Sequence, residues 1–146
     1  NGNLSQAGLW HGTAASWVSL HPAVAEYSEA WGVHNGQQVG LAKIGSIRGA
    51  CMWNGTASSF VNLHPAGAST SIAWTVFEGR QAGEATFGGA RHAVIWSWTA
   101  SSMVDLHPTN GANQSFIRGS HEGIQVGSAR IGLVFHASLW TGSATS

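Results

Sequence analysis

Three histidines recur within one tripeptide, Leu20-His21-Pro22, Leu63-His64-Pro65 and Leu106-His107-Pro108, at intervals of 43 residues. Imidazole is the commonest protein metal ligand, so a fold that gathered the three rings would hold a metal ion or an anion. Residues so far apart in a periodic chain belong to different structural units, and the spacing does not make them converge. The simpler expectation is that each His and its Pro shape a loop, with a ring nitrogen bonded to backbone. No metal and no cofactor is expected.

The carboxylates are Glu26, Glu29, Glu78, Glu84, Glu122 and Asp105. Glycoside hydrolysis needs two of them flanking one bond. Glu78 and Glu122 share a turn position, which makes them exposed turn residues rather than a dyad. Asp105 is the sole Asp, in a slot held elsewhere by Ser19 and Asn62, so a Ser-His-Asp reading finds no support. Cys51 occupies a slot that holds Gly8, Val94 and Ser138 in the other copies, as a packing position would. A lone cysteine also excludes an internal disulfide and a Cys-rich zinc site. The chain is not expected to be an enzyme.

Aromatic residues offer a different chemistry. Trp31 and Trp74 occupy equivalent positions, with Arg118 in the third copy, and these three are the candidate ligand-binding residues. Indole faces stack on sugar rings, while Asn, Gln, Ser and Thr supply hydrogen bonds. Arg118 in that slot implies a face that meets water. Trp17, Phe60 and Met103 form another set, apolar throughout but varied in identity, and read as core. Asn3, Asn54 and Asn113 open glycosylation-acceptor triplets, which are chance matches in a chain so rich in Ser and Thr.

Composition narrows the partners. Of 146 residues only 8% are charged, with six basic balancing six acidic, against about 25% charged in an ordinary domain. There is no basic patch for nucleic acid and no polybasic helix for a membrane surface. No apolar run approaches the roughly 18 residues of a membrane span, and none of these residues reads as a signal peptide. The start at Asn1 without Met is expected of a processed chain or a piece of a longer one. With 43% hydrophobic residues and eight Trp, long-range disorder is not expected.

The elements that position these residues follow from the repeat. Trp10, Trp53, Trp96 and Trp140 stand 43, 43 and 44 residues apart. Gly40, Gly83 and Gly127 keep the same step, with one residue inserted between Thr109 and Gln114. Residues 7–49 and 50–92 are identical at 22 of 43 positions. We therefore expect one repeat domain over residues 1–146, with units at approximately 7–49, 50–92 and 93–136 and a partial unit at 137–146.

Turn signals come about every ten residues within a unit. Ser28 to Val33 predicts a first strand, His34-Asn35-Gly36 a tight turn, and Gln37 to Ile44 a second strand. Gly49 to Trp53 predicts a third strand and Ser59 to His64 a fourth, ended by Pro65. Four strands in 43 residues leave no room for a helix, so the chain is all-β. Alternation places Ser28, Ala30 and Gly32, like Ser71, Ala73 and Thr75, on a small-residue face that another backbone can approach closely. The Trp at the end of each third strand should fill the space between neighbouring sheets.

A four-stranded unit of this length is that of a β-propeller blade. About three blades per chain fall short of the four to eight a propeller needs, so we expect a ring closed by oligomerisation. A β-trefoil or β-prism is the alternative, since both close with threefold symmetry. Against the trefoil, no Gln-x-Trp is present. A surplus third strand at the N-terminal side, Gln6 to His11, has no place in this count.

His92-Ala93-Val94-Ile95-Trp96 and His136-Ala137-Ser138-Leu139-Trp140 resemble the His-Ala-Phe-x-Trp signature of bacterial extracellular HAF repeats. Ser28-Glu29-Ala30-Trp31-Gly32 and Gly36-Gln37-Gln38-Val39-Gly40 fit the same pattern, and the resemblance covers nearly the whole chain. The signature His is replaced by Gln6 and Gly49 in the other copies, and the Phe position holds Gly8, Cys51, Val94 and Ser138. The resemblance implies an extracellular or cell-surface bacterial protein with propeller-like repeats and no catalytic residues to carry over.

Sequence alone therefore points to a non-enzymatic extracellular binding or scaffold module, with multivalent glycan recognition by an oligomeric propeller as its most concrete form. Its expected partners are further copies of itself and glycans. The alternatives are a self-assembling subunit of a surface or filament structure, or an excised part of a longer propeller.

Overall fold

The structure, a computed structural model, describes residues 4–145, so the Asn3 acceptor lies outside it. Thirteen strands run in chain order: β1 (Gly8–Leu9), β2 (Val18–Ser19), β3 (Tyr27–His34), β4 (Gln37–Ile44), β5 (Ile47–Trp53), β6 (Val61–Asn62), β7 (Thr70–Phe77), β8 (Arg80–Phe87), β9 (Ala90–Trp96), β10 (Val104–Asp105), β11 (Ala112–His121), β12 (Ile124–Ile131) and β13 (Val134–Trp140). The described residues contain no α-helix, and the fold is all-β.

Each unit is an antiparallel three-stranded meander: β3-β4-β5, β7-β8-β9 and β11-β12-β13. A two-residue fourth strand adds to its third, β6 on β5 and β10 on β9, and β2 pairs with β1 in the same way. A parallel contact at Arg48–Thr70 joins the first meander to the second. Among the described residues none of the sheets closes on itself.

The hairpin turns follow from the residues that build them. Asn35-Gly36, Glu78-Gly79 and Glu122-Gly123 all have positive φ at both positions, the geometry whose twist matches that of the flanking strands. The fourth strand is shorter than its sequence suggests, because Ala57–Ser59 form a 3₁₀ turn before it. Ser59 Oγ accepts the Asn54 N–H at 2.7 Å and donates to Thr56 O at 2.6 Å, which curls the segment. Ser16 and Ser102 do the same in the other copies.

The first strand departs from simple alternation. Its register with the second strand shifts between Ala30 and Gly32, between Ala73 and Thr75, and between Ile117 and Gly119. Trp31, Trp74 and Arg118 are thus the extra residues of three β-bulges. Beyond each bulge the inward phase moves by one residue, so Ser71 and Ala73 are followed inside by Val76, not by Thr75. The predicted small-residue face of Ser71, Ala73 and Thr75 is corrected accordingly.

Apolar side chains form three clusters, each drawn from two successive units. Val39, Ala50, Met52 and Leu63 pack with Ala73, Val76, Val94 and Trp96 of the next unit. Ala82, Ala93, Ile95 and Leu106 pack with Ile117 and Trp140. Ala7 and Leu20 pack with Ala42, Cys51 and Trp53. A unit therefore offers one face forward and receives its predecessor on the other. Trp53, Trp96 and Trp140 are buried as expected, whereas Trp10 is 57% exposed, with no preceding face to receive it among the described residues. Trp17 is also exposed, while Phe60 and Met103 are half-buried against the clusters.

Candidate functional site

The three bulges bring the candidate ligand-binding residues together. Opposite each bulge stands Gly40, Gly83 or Gly127, where a Cβ would collide with the carbonyl oxygen of Glu29, Ile72 or Phe116. Glycine is required there by close approach rather than by φ. The bulged residue leaves the ladder and its side chain is re-aimed along the row of first strands. Trp31 and Trp74 stack with ring centroids 4.4 Å apart and planes 22° from parallel. The Arg118 guanidinium lies over the other side of the pair, 4.0 Å from the Trp74 centroid. The three form one ladder across three units, and Trp31 at its end is 40% exposed.

A second ladder runs beside the first. His34, Phe77 and His121 occupy equivalent positions, and Phe77 lies 4.4 Å from each imidazole. The sequence reading missed this row, although the same interval relates its members. Gly32 marks the closeness of the first strands: a Cβ there would lie 3.0 Å from Trp74 O and 3.1 Å from Thr75 Cα.

The recurring histidines do not meet one another. Nδ1 of His21, His64 and His107 lies 2.8 Å from Ser28, Ser71 and Ser115 Oγ respectively. His64 Nε2–H donates to Ala68 O at 3.1 Å, and His107 Nε2–H to Ala112 O at 2.9 Å. A carbonyl only accepts, which fixes the tautomer and makes Nδ1 the acceptor of the serine hydroxyl. The same serine oxygens accept Ala7, Ala50 and Ala93 N–H at 3.1, 2.8 and 2.9 Å. Each buried Ser therefore ties a His loop to the third strand beside it, and both ring nitrogens of His64 and His107 are in use.

Asp105 does not complete a triad. Its Oδ2 lies 2.7 Å from His92 Nδ1, while Ser115 is bonded to His107. The two imidazoles stack at 4.1 Å. Asp105 Oδ1 accepts the His107 N–H at 2.8 Å, as Asn62 Oδ1 does for His64 at 2.9 Å. The slot shared by Ser19, Asn62 and Asp105 is thus a loop cap. Glu78 and Glu122 sit exposed in hairpin turns, Glu26 pairs with Lys43, and buried Glu84 faces Arg91 at 3.8 Å. Among the described residues no group of three or more His, Cys, Asp and Glu side chains converges to hold a metal.

Buried glutamines form another set that the sequence reading missed. Nε2 of Gln38, Gln81 and Gln125 donates to the carbonyls of Gly36, Gly79 and Gly123. Their Oε1 atoms accept the N–H groups of Gly55, Trp98 and Gly142. Each clamps the first hairpin turn of a unit to the loop after its third strand. Cys51 is fully buried, and burial pushes its thiol well above the usual value. Asn54 and Asn113 are exposed, and Asn113 Nδ2 donates to Gly132 O at 3.0 Å.

No helix is long and apolar enough to cross a membrane among the described residues. No family model, curated protein or solved structure matches the chain.

Proposed function

We propose that this chain is a non-enzymatic extracellular or cell-surface scaffold and binding module whose units are propeller-type blades, closed into a ring by association of copies. One observation carries the reading. The forward face that the first unit buries beneath its successor is open on the last. Val39 and Met52 are fully buried, whereas their equivalents Val126 and Leu139 are 47% and 53% exposed. An apolar sheet face of this kind marks an interaction surface. The likeness of the His92–Trp96 and His136–Trp140 stretches to HAF-type repeats supports the bacterial extracellular setting.

Glycan recognition is a second reading, favoured by Trp31. Its indole is partly exposed and backed by Trp74, which holds it rigid as a stacking platform should be held. Titration with a glycan panel tests it: binding should be lost in Trp31→Ala while the circular dichroism of the fold is kept. Binding unchanged in that variant removes the platform from the account. Negative-stain microscopy separates closed rings from the filaments or layers of a purely structural subunit.

A further inference from the structure

We infer that the last unit of one copy docks head-to-tail on the first unit of a second copy, with β13 displacing that copy's β1 as the strand paired to β2. The inference rests on the ring-closing reading and specifies its joint. Internal joints in this chain provide the template. Val39 and Val76 belong to one buried cluster between the first two meanders, and the equivalents of these two residues are Val126 on the last unit and Val33 on the first. Val76 is 5% exposed but Val33 is 64% exposed, so each end carries one half of a cluster completed inside the chain.

The two ladders repeat the match. Arg118 ends the first ladder and Trp31 begins it, so Arg118 of one copy continues onto Trp31 of the next. There it takes the indole face that a glycan would need, which makes this joint and the Trp31 platform alternatives. His121 and His34 bear the same relation in the second ladder.

Backbone groups agree as well. Leu63 N–H donates to Ala50 O where the fourth strand meets the third, and Ala50 N–H donates to Ser71 Oγ across the first joint. Ala137 is the exposed equivalent of Ala50, so it would take Leu20 and Ser28 of the second copy as partners. At present β1 fills that place, through Leu20 N–H to Ala7 O and Ala7 N–H to Ser28 Oγ. Yet β1 has two residues and among the described residues pairs only with β2, whereas β13 has seven and is backed by β12. On this reading β1 is a stand-in that covers the edge until a longer strand arrives. A groove of about 440 Å³ beside β13, lined by residues including Ala129, His136, Ser138 and Trp140, lies where a fourth strand would seat. Such a joint uses different surfaces on the two copies, and closes a ring or extends a filament according to its rotation.

Val126→Glu and Val33→Glu test the joint, because both positions are exposed in the single chain and a charge there is penalised only when buried. Light scattering should show an oligomeric wild type and single chains for each variant alone. The equal mixture should give a two-chain species, since the mixture retains one intact last unit and one intact first unit. An oligomeric wild type with both variants equally oligomeric would overturn this joint but leave ring closure standing. A single-chain wild type at every concentration would overturn both, and variants that stay single when mixed would overturn the joint. Should either variant fail to fold, Val33→Cys and Val126→Cys copies replace them. A disulfide between the two, absent from either alone, is the expected result, and its failure to form sinks the joint.

Discussion

Trp31 and Trp74 come from equivalent places in two successive units, and their indoles lie 4.4 Å apart and 22° from parallel. The contact exists because each is the extra residue of a β-bulge, turned out of its own ladder. Trp74 is held on both sides, by Trp31 and Arg118, while Trp31 has one free side within the chain. Trp74→Ala should therefore lower stability by about 2–4 kcal/mol and Trp31→Ala by about 1 kcal/mol. Denaturant midpoints check the order. Equal losses would mean that the ladder is not the unit of stabilisation.

Gly83 tests the origin of the bulge. A side chain there meets Ile72 O, so Gly83→Ala must move one of two paired strands. We expect a loss of more than about 2 kcal/mol together with a changed near-ultraviolet dichroism of tryptophan, because Trp74 is re-aimed. A neutral substitution would show that the bulge is set by something other than the glycine.

Ser71 tests the histidine loops. Ser71→Ala leaves the Ala50 N–H and His64 Nδ1 without their partner inside the protein. An unmade buried hydrogen bond costs about 1–3 kcal/mol, and unfolding by urea should show a loss in that range. A change below about 0.5 kcal/mol would return His64 to the list of residues free for chemistry.

Cys51 gives a pH dependence. Its folded-state pKa is raised by burial, so its contribution to stability is whole below the titration of the unfolded thiol and is lost as pH rises towards the folded value. Wild type should lose more stability than Cys51→Val between about pH 7 and pH 10, and the folded thiol should resist alkylation. Val is the residue of choice because Val94 fills the equivalent buried slot. Identical pH slopes, or fast alkylation of folded protein, would place Cys51 at a surface.

The repeat made most of the fold legible. Gln37 to Ile44 was placed to the residue, because Asn35-Gly36 and Gly45-Ser46 bracket it with turn chemistry. The other long strands differ at their ends by one or two residues, where apolar and polar residues mix. The bulges were not legible, since an extra residue shifts the inward phase without changing composition. This is why simple alternation puts Thr75 on a face that Val76 occupies. Trp31, Trp74 and Arg118 were found as one slot, but sequence could not say that they would stack on one another. Gln38, Gln81 and Gln125 escaped notice because glutamine in a strand carries no signal of its own; only their common interval marked them. Trp10 departs from its repeat position for a different reason: such a position specifies packing only where the neighbouring unit is present.

Ring closure by copies of this chain is the central claim, and native mass by light scattering on a sizing column tests it most directly. The account predicts a mass two or three times that of the chain, as the proposed ring of propeller-type blades pooled between copies requires. A single-chain mass at all concentrations would contradict it and favour a fold that closes within one copy.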